Sequence, residues 1–295
     1  MTKLTVLIGE AVGESKLSRL KDAYPQVRFL YCPSDKEFIA HAQEADIIFT
    51  KRLPLQALKG ATKLRWVQAG TSGIGHLLDM GLRERDILLT NAVGAHGIPM
   101  SELLLGMMLA FVTGLNALIR VQSAQERPRD QIIGNKTELE GQVLCILGLG
   151  DIGGTLCRKA KGLGMYVLGV RRSQIPFPDV DEQFTPDKLT MVLPRADHVA
   201  LCLPLTAETK HIIGERELRL MKPSAYIYNV GRGASIDTVA LERALREGWI
   251  AGAGLDVTDP EPLPDNSPFW NMPNVILSQH TSGSSPYNAD RITAI

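Results

Sequence analysis

The sequence predicts an α/β protein with parallel sheets. Short apolar runs rich in β-branched residues alternate with segments of helical period through most of the 295 residues, and one run leads directly into a glycine-rich turn. Strands of that kind are buried on both faces and need crossover connections, which helices provide. The length suits two domains, each burying its own core, although length alone also permits one large domain.

In the first part, LTVLIG, VRFLYC, ADIIFT, LRWVQA and ILLTN are strand candidates, separated by helical stretches such as Lys16 to Tyr24 and Lys36 to Glu44. Together they make an open sheet. Asn91 to Ile98 (NAVGAHGI) has two glycines and no strand alternation, and Pro99 follows where a helix can start, so the stretch reads as a hinge. From Pro99 to about Gln125, Leu103, Leu104, Met107, Met108, Phe111, Leu115 and Leu118 recur at helical steps. That is one long helix with a wide apolar face, asking for a core on one side and a second protein surface on the other. The polar stretch ERPRDQIIGNKTELEG is a loop before QVLCILG, YVLGV, HVALCLP, AYIYNV, GAGLDV and NVILSQH, a second set of strands.

Composition narrows the function. Apolar residues at 44% and charged residues at 22% fit a globular chain, and Lys plus Arg equals Asp plus Glu at 32 each. No excess positive field exists to hold a nucleic-acid backbone or an anionic membrane, so neither is expected as a partner. The apolar stretch near the N-terminus is broken by Gly9 and Glu10, too soon for a signal-peptide core, and reads as a first strand. Cys32, Cys145, Cys157 and Cys202 are scattered without CxxC spacing, the usage of a reducing cytoplasm. No metal is expected.

Gly148-Leu-Gly150-Asp151-Ile152-Gly153 follows the run VLCIL and opens a helical segment, Thr155 to Gly164, before the strand YVLGV. Strand, glycine turn, helix, strand is the setting that a dinucleotide pyrophosphate requires: glycines let the backbone approach, and the N–H groups of the helix start face the anion. The bland alternative is a glycine-rich turn without a ligand. YVLGV then ends in Arg171-Arg172-Ser173, with no carboxylate before Asp179. A carboxylate there would accept from ribose hydroxyls and repel a 2′-phosphate, whereas guanidinium groups hold the phosphate bidentately, so NADP(H) is expected over NAD(H).

Three further pieces each lie just past a strand candidate: Asn229-Val-Gly-Arg232-Gly, Gly254-Leu-Asp256 through Glu261-Pro-Leu-Pro, and Gln279-His280-Thr-Ser-Gly. Ligands bind at that edge of an open parallel sheet. Reduction of a 2-oxo acid needs a cation to hold and polarise the substrate and a general acid to protonate its oxygen. Arg232 supplies the first and His280 the second, with Glu261 holding the imidazole in one tautomer and favouring its charged form. Singly, each has an ordinary surface reading.

Taken together, GLGDIGG, LPLTAETKHII, LMKPSAYIYNVGRG, ALREGWIAGAGLDV, DPEPLP and SQHTSG resemble the D-isomer-specific 2-hydroxyacid dehydrogenase family over nearly the whole chain. The resemblance implies a Rossmann dinucleotide-binding domain, residues 97–283, inserted in a flavodoxin-like substrate domain, residues 1–96 with 284–295 returning to it. Within that frame Arg232 binds substrate, His280 is the acid–base and Glu261 its partner. Asp256 meets the nicotinamide carboxamide; Leu203, Pro204, Thr209, Val230 and Gly231 line the cofactor; the backbone of Thr71, Ser72 and Gly73 takes the substrate carboxylate. The resemblance also implies a homodimer through the region 99–125, and the Arg-Arg-Ser ending is similar to NADP-preferring glyoxylate and hydroxypyruvate reductases.

Formate dehydrogenases share the scaffold but carry glutamine where Glu261 stands. Non-catalytic dinucleotide sensors share it and keep the three residues, so they remain an alternative. The chain departs from the family in stopping at Ile295, within the segment that usually crosses back to the first domain, and in having Arg127-Pro128-Arg129 where a tryptophan is usual. Lys51 and Arg52 follow the strand ADIIFT and are either a substrate contact or, more simply, a solvated basic pair.

Overall fold

The computed structural model describes residues 3–9, 14–125, 134 and 136–294. The chain divides into two compact units, Met1–His96 with Ser285–Ile295, and Gly97–Ser284.

In the first unit, β1 (Thr5–Ile8), β2 (Arg28–Tyr31), β3 (Ile47–Thr50), β4 (Trp66–Ala69) and β5 (Leu88–Thr90) form one parallel sheet. Its order is β2-β1-β3-β4-β5, a doubly wound arrangement. Every residue of β1 is buried, as expected of a central strand covered on both faces. The connections are α1 (Glu14–Ala23), α2 (Asp35–His41), α3 (Leu55–Gly60) and α4 (Gly75–Leu78). Ser34 and Glu37 form a reciprocal capping box that starts α2, and a single 3₁₀ turn, Ala42–Glu44, extends it to the end of the expected helical stretch. The helix Asn288–Ala294 belongs to this unit: Ile292 packs with Ala92, Ala95 and Phe49, and Asp290 pairs with Lys16.

The second unit opens with α5 (Gly97–Val112) and α6 (Leu115–Ala124), where the sequence suggested one helix from Pro99. The apolar period runs through the junction, but Gly114 takes φ 71° and the axes bend by 73°. Glycine adopts that left-handed conformation without the Cβ clash that other residues meet. Leu104, Met107, Met108 and Phe111 are buried, and α5 packs against α7 (Asp151–Gly162). Leu109, Leu115, Leu118 and Ile119 remain exposed. The expected loop at 126–141 lies largely outside the described residues, including Arg127, Pro128 and Arg129. Among the described residues no single helix is long and apolar enough to cross a membrane.

The sheet of this unit has seven parallel strands in the order β12-β11-β10-β9-β6-β7-β8. They are β6 (Val143–Leu147), β7 (Tyr166–Val170), β8 (Glu182–Phe184), β9 (His198–Leu201), β10 (Tyr226–Asn229), β11 (Gly252–Leu255) and β12 (Val275–Leu277). The strands all run the same way, but the order in which successive strands are added reverses between β6 and β9, the point where such sheets open a crevice for a ligand. β8 was not expected: Glu182-Gln-Phe184 is a half-buried edge strand without an apolar run. The helix after the glycine turn starts at Asp151, four residues before the expected Thr155, because Gly153 and Gly154 lie in its first turn.

A polar network is sealed inside this unit. The His198 ring meets Gln142 Oε1 through Nε2 (2.6 Å) and the Tyr228 hydroxyl through Nδ1 (3.0 Å). The amide oxygen only accepts, so Nε2 carries the proton and Nδ1 accepts from the tyrosine, which is the neutral imidazole. Burial lowers the His198 pKa from its ordinary 6.5 to about 4, opposed by the Asp197 charge. Between those values the unfolded chain binds a proton that the folded chain does not. Stability is therefore expected to decline as pH falls from 6.5 towards 4, by about 3 kcal/mol. Chemical unfolding at several pH values should show this slope in the wild type and a flatter one in His198→Gln; identical slopes would contradict it.

Candidate active site

Loops leaving the C-terminal ends of the second unit's strands carry nearly all the candidate residues. After β6, Gly148 has φ 97°, and a Cβ on it would stand 2.7 Å from the carbonyl oxygen of Cys202. A Cβ on Gly153 would overlap the carbonyl oxygen of Gly148. Only glycine lets the turn fold this tightly under the start of α7, whose first-turn N–H groups lack intrahelical partners and point at the crevice. The Asp151 carboxylate accepts from the N–H of Gly97 (2.8 Å), so its contribution to the cradle is its backbone.

The loop after β9 is braced from within. Thr209 Oγ1 donates to Pro204 O (2.6 Å) and accepts from Thr206 N (2.7 Å), while a Cβ on Gly231 would stand 2.5 Å from Leu203 O. Thr209 thus shapes the loop instead of reaching out of it. Val230 is 2% exposed with its side chain in the core, so it too can offer a ligand only its backbone. At the end of β7, Arg171 and Ser173 are half-buried and Arg172 is exposed. The Glu208 carboxyl lies below its ordinary range, chiefly through the bond from the Thr206 hydroxyl, with the Arg172 charge contributing.

Glu261 Oε1 accepts from Nδ1 of His280, the pairing expected from sequence. Both remain open to solvent, with 52% of the His280 side chain and 39% of the Glu261 side chain exposed. A carboxylate can only accept, so Nδ1 carries a proton and Nε2 is the nitrogen offered outward. Arg232 follows β10 in the same set of loops; its Nη1 donates to Gly231 O (2.7 Å). Among the described residues no carboxylate lies within ion-pair distance of it. Its turn is held by Asn229 Nδ2 on Arg232 O (2.9 Å) and by Gly233, which packs against the backbone of Thr258 and Asp259.

Asp256 has a part that the sequence did not disclose. The residue is 2% exposed, and its Oδ1 accepts from Ser278 Oγ (2.7 Å), Thr281 N (2.8 Å) and Ser282 N (3.0 Å), while Oδ2 accepts from Ser282 Oγ. Its main-chain oxygen also accepts from His280 N at 2.5 Å. The whole turn bearing His280 is gathered on one buried side chain, which leaves at most one lone pair of Oδ2 for the expected carboxamide. Gln279 and His280 both sit at positive φ, 51° and 56°. Each non-glycine residue there costs about 1–2 kcal/mol, which the four bonds offset.

The sequence matches a known family. A family model for the D-isomer specific 2-hydroxyacid dehydrogenase NAD binding domain matches residues 105–282. The chain belongs to that family. A glyoxylate reductase of Korarchaeum cryptofilum is 32% identical, with 88% of this chain and 80% of the relative aligned. A glyoxylate reductase of Thermofilum pendens is 30% identical over 97% of this chain and 87% of its own length. Among solved structures, a D-isomer specific 2-hydroxyacid dehydrogenase family protein from Aeromonas salmonicida aligns with TM-score 0.84 and 33% identity, covering 99% of this chain and 93% of that one.

As a member of the D-2-hydroxyacid dehydrogenases, the chain is an oxidoreductase that uses a nicotinamide dinucleotide and a small 2-hydroxy or 2-oxo acid. The cradle fits that cofactor: adding a Cβ at Gly148 or Gly153 would close it, and a helix of 12 residues starts behind it. In the first unit, Ser72 Oγ donates to Ala92 O (2.9 Å), which makes His96 Nδ1, at 2.9 Å, the donor to Ser72. Thr71 Oγ1 donates to Gly73 O (3.1 Å). The loop's hydroxyls are thus spent on its own shape. Lys51 is exposed, and Arg52 stands 4.0 Å from Asp35 with most of its side chain in solvent.

Ser282 is a polar residue that sequence reasoning missed here, since nothing in a single chain marks a side chain whose partner is a distant loop. Ser282→Ala removes one donor from a buried carboxylate and is expected to cost about 1.5–3 kcal/mol in chemical unfolding. A change within experimental scatter would show that the turn does not depend on the Ser282 hydroxyl.

Proposed function

We propose that the chain is an NADPH-dependent reductase of small 2-oxo acids such as glyoxylate or hydroxypyruvate, forming the D-2-hydroxy acid. The observation that carries this reading is the bond between Glu261 and Nδ1 of His280, which leaves Nε2 directed outward on the strand edge that also bears the glycine cradle and Arg232. The cofactor supplies the hydride. Arg232 binds the substrate and draws electron density from its carbonyl, and its permanently charged fork suits that task. His280 Nε2 gives a proton to the carbonyl oxygen as it becomes an alcohol, and Glu261 keeps the ring in the orientation that points Nε2 at that oxygen. In the reverse direction the same nitrogen removes the hydroxyl proton. Asp256 offers its remaining lone pair to the carboxamide.

The preference for NADPH is supported by Arg171, Arg172 and Ser173 at the end of β7, where the sequence carries no acidic residue before Asp179 to receive a ribose hydroxyl. A homodimer is supported by Leu109, Leu115, Leu118 and Ile119, exposed together on the α5–α6 pair. Four unpaired cysteines, three of them buried, suit a reducing cytoplasm.

The test mixes protein, cofactor and a panel of 2-oxo acids and follows absorbance of the reduced nicotinamide. Oxidation of NADPH with glyoxylate or hydroxypyruvate is expected, with kcat/KM higher for NADPH than for NADH. His280→Ala is expected to lower kcat about 100- to 10,000-fold with cofactor binding nearly unchanged. Turnover near that of the wild type would refute the assignment.

A further inference from the structure

Beyond β7 the chain runs through Arg171–Phe177, and one side chain sets its course. Gln183 lies in the edge strand β8, opposite Gly169 of β7. Its Nε2 donates to the carbonyl oxygens of Ser173 and Ile175, each at 3.0 Å, and its Oε1 accepts from the N–H of Phe177 at 2.8 Å. Two acceptors on one end of the amide and a donor on the other allow only one orientation of the group. A flipped amide would lose all three bonds. Ser173 Oγ closes the same bend by accepting from Ile175 N (3.3 Å).

The phenyl ring that this bend delivers has two contacts. It lies on Gly154 in the first turn of α7, where a Cβ would stand 2.6 Å from Phe177 Cζ. It also faces Arg171, whose guanidinium carbon lies 5.5 Å from the ring centroid. A cation over an aromatic face is attracted by the ring quadrupole, which restrains an otherwise flexible side chain. The result is a chain of contacts from Gln183 through Phe177 to Arg171, anchored on the helix that backs the pyrophosphate cradle.

We propose that Gln183 and Phe177 are the positioning residues of cofactor choice: they hold Arg171, Arg172 and Ser173 in the shape that receives a phosphorylated ribose, without touching the cofactor themselves. This rests on the reading of the Arg-Arg-Ser segment as a 2′-phosphate site and adds what makes it selective. Ordering arginine side chains costs conformational entropy, and a segment already fixed by three hydrogen bonds and a ring has met that cost before the ligand arrives. A ribose bearing only a hydroxyl gains little from a fixed guanidinium. Loosening the segment therefore weakens the phosphorylated ligand alone.

The experiment uses the full chain and two fragments without a nicotinamide, adenosine 2′,5′-bisphosphate and adenosine 5′-monophosphate, titrated calorimetrically. Steady-state KM and kcat for NADPH and NADH are measured beside them. Gln183→Leu removes all three bonds, and Phe177→Leu keeps an apolar cap on Gly154 while removing the aromatic face. Both are expected to weaken the bisphosphate, and to raise KM for NADPH, on the order of tenfold, with the monophosphate, NADH and kcat little changed. Should Gln183→Leu fail to fold, Phe177→Leu decides. Equal loss for both fragments, or no loss for either, overturns the proposal while a wild-type preference for NADPH keeps the cofactor reading intact. A wild type that binds the monophosphate more tightly and prefers NADH overturns both.

Discussion

A buried carboxylate with four donors fixes the geometry on which the candidate chemistry depends. Asp256 leaves β11 and gathers Ser278, Thr281 and Ser282 from the end of β12. Removing a charge from water costs several kcal/mol unless its acceptors are filled, so the carboxylate and the turn specify each other. The turn in exchange holds Gln279 and His280 in the left-handed region, and from that backbone the imidazole reaches Glu261. Arg232 depends on a parallel device, an Asn229 side chain that ties its own loop, with Gly233 packed on the Thr258 and Asp259 backbone.

The same economy governs the cofactor cradle. Its recognition groups are main-chain N–H groups at the start of α7, so the side chains nearby serve shape: Asp151 binds Gly97, Thr209 binds Pro204, and Val230 fills the core. A chain with balanced charge can therefore bind an anionic dinucleotide through local dipoles, without a basic surface. The Arg171–Ser173 segment at the end of β7 adds formal positive charge.

Much of this was legible in the sequence because it is local. Strand runs, the glycine turn and its following helix depend on neighbours within a few residues, and β1 to β7 follow their apolar runs closely. The pairing of Glu261 with His280 became legible through the family resemblance; no spacing rule joins residues 19 apart across a proline-rich loop. What escaped has a common cause. β8 is an edge strand with little to bury, the bend at Gly114 interrupts an apolar period that continues on both sides, and the partners of Asp256 and Gln183 come from other segments. Periodicity carries information about which face is buried, and hydrogen bonds between loops leave no period.

The central claim is that His280 and Glu261 work as one unit. A double-mutant cycle on kcat for carbonyl reduction, using His280→Ala, Glu261→Ala and the double variant, tests it most directly. Strong non-additivity is expected, with Glu261→Ala costing little once the imidazole is gone. Independent, additive losses would contradict the shared role and leave the contact between the two side chains without a catalytic meaning.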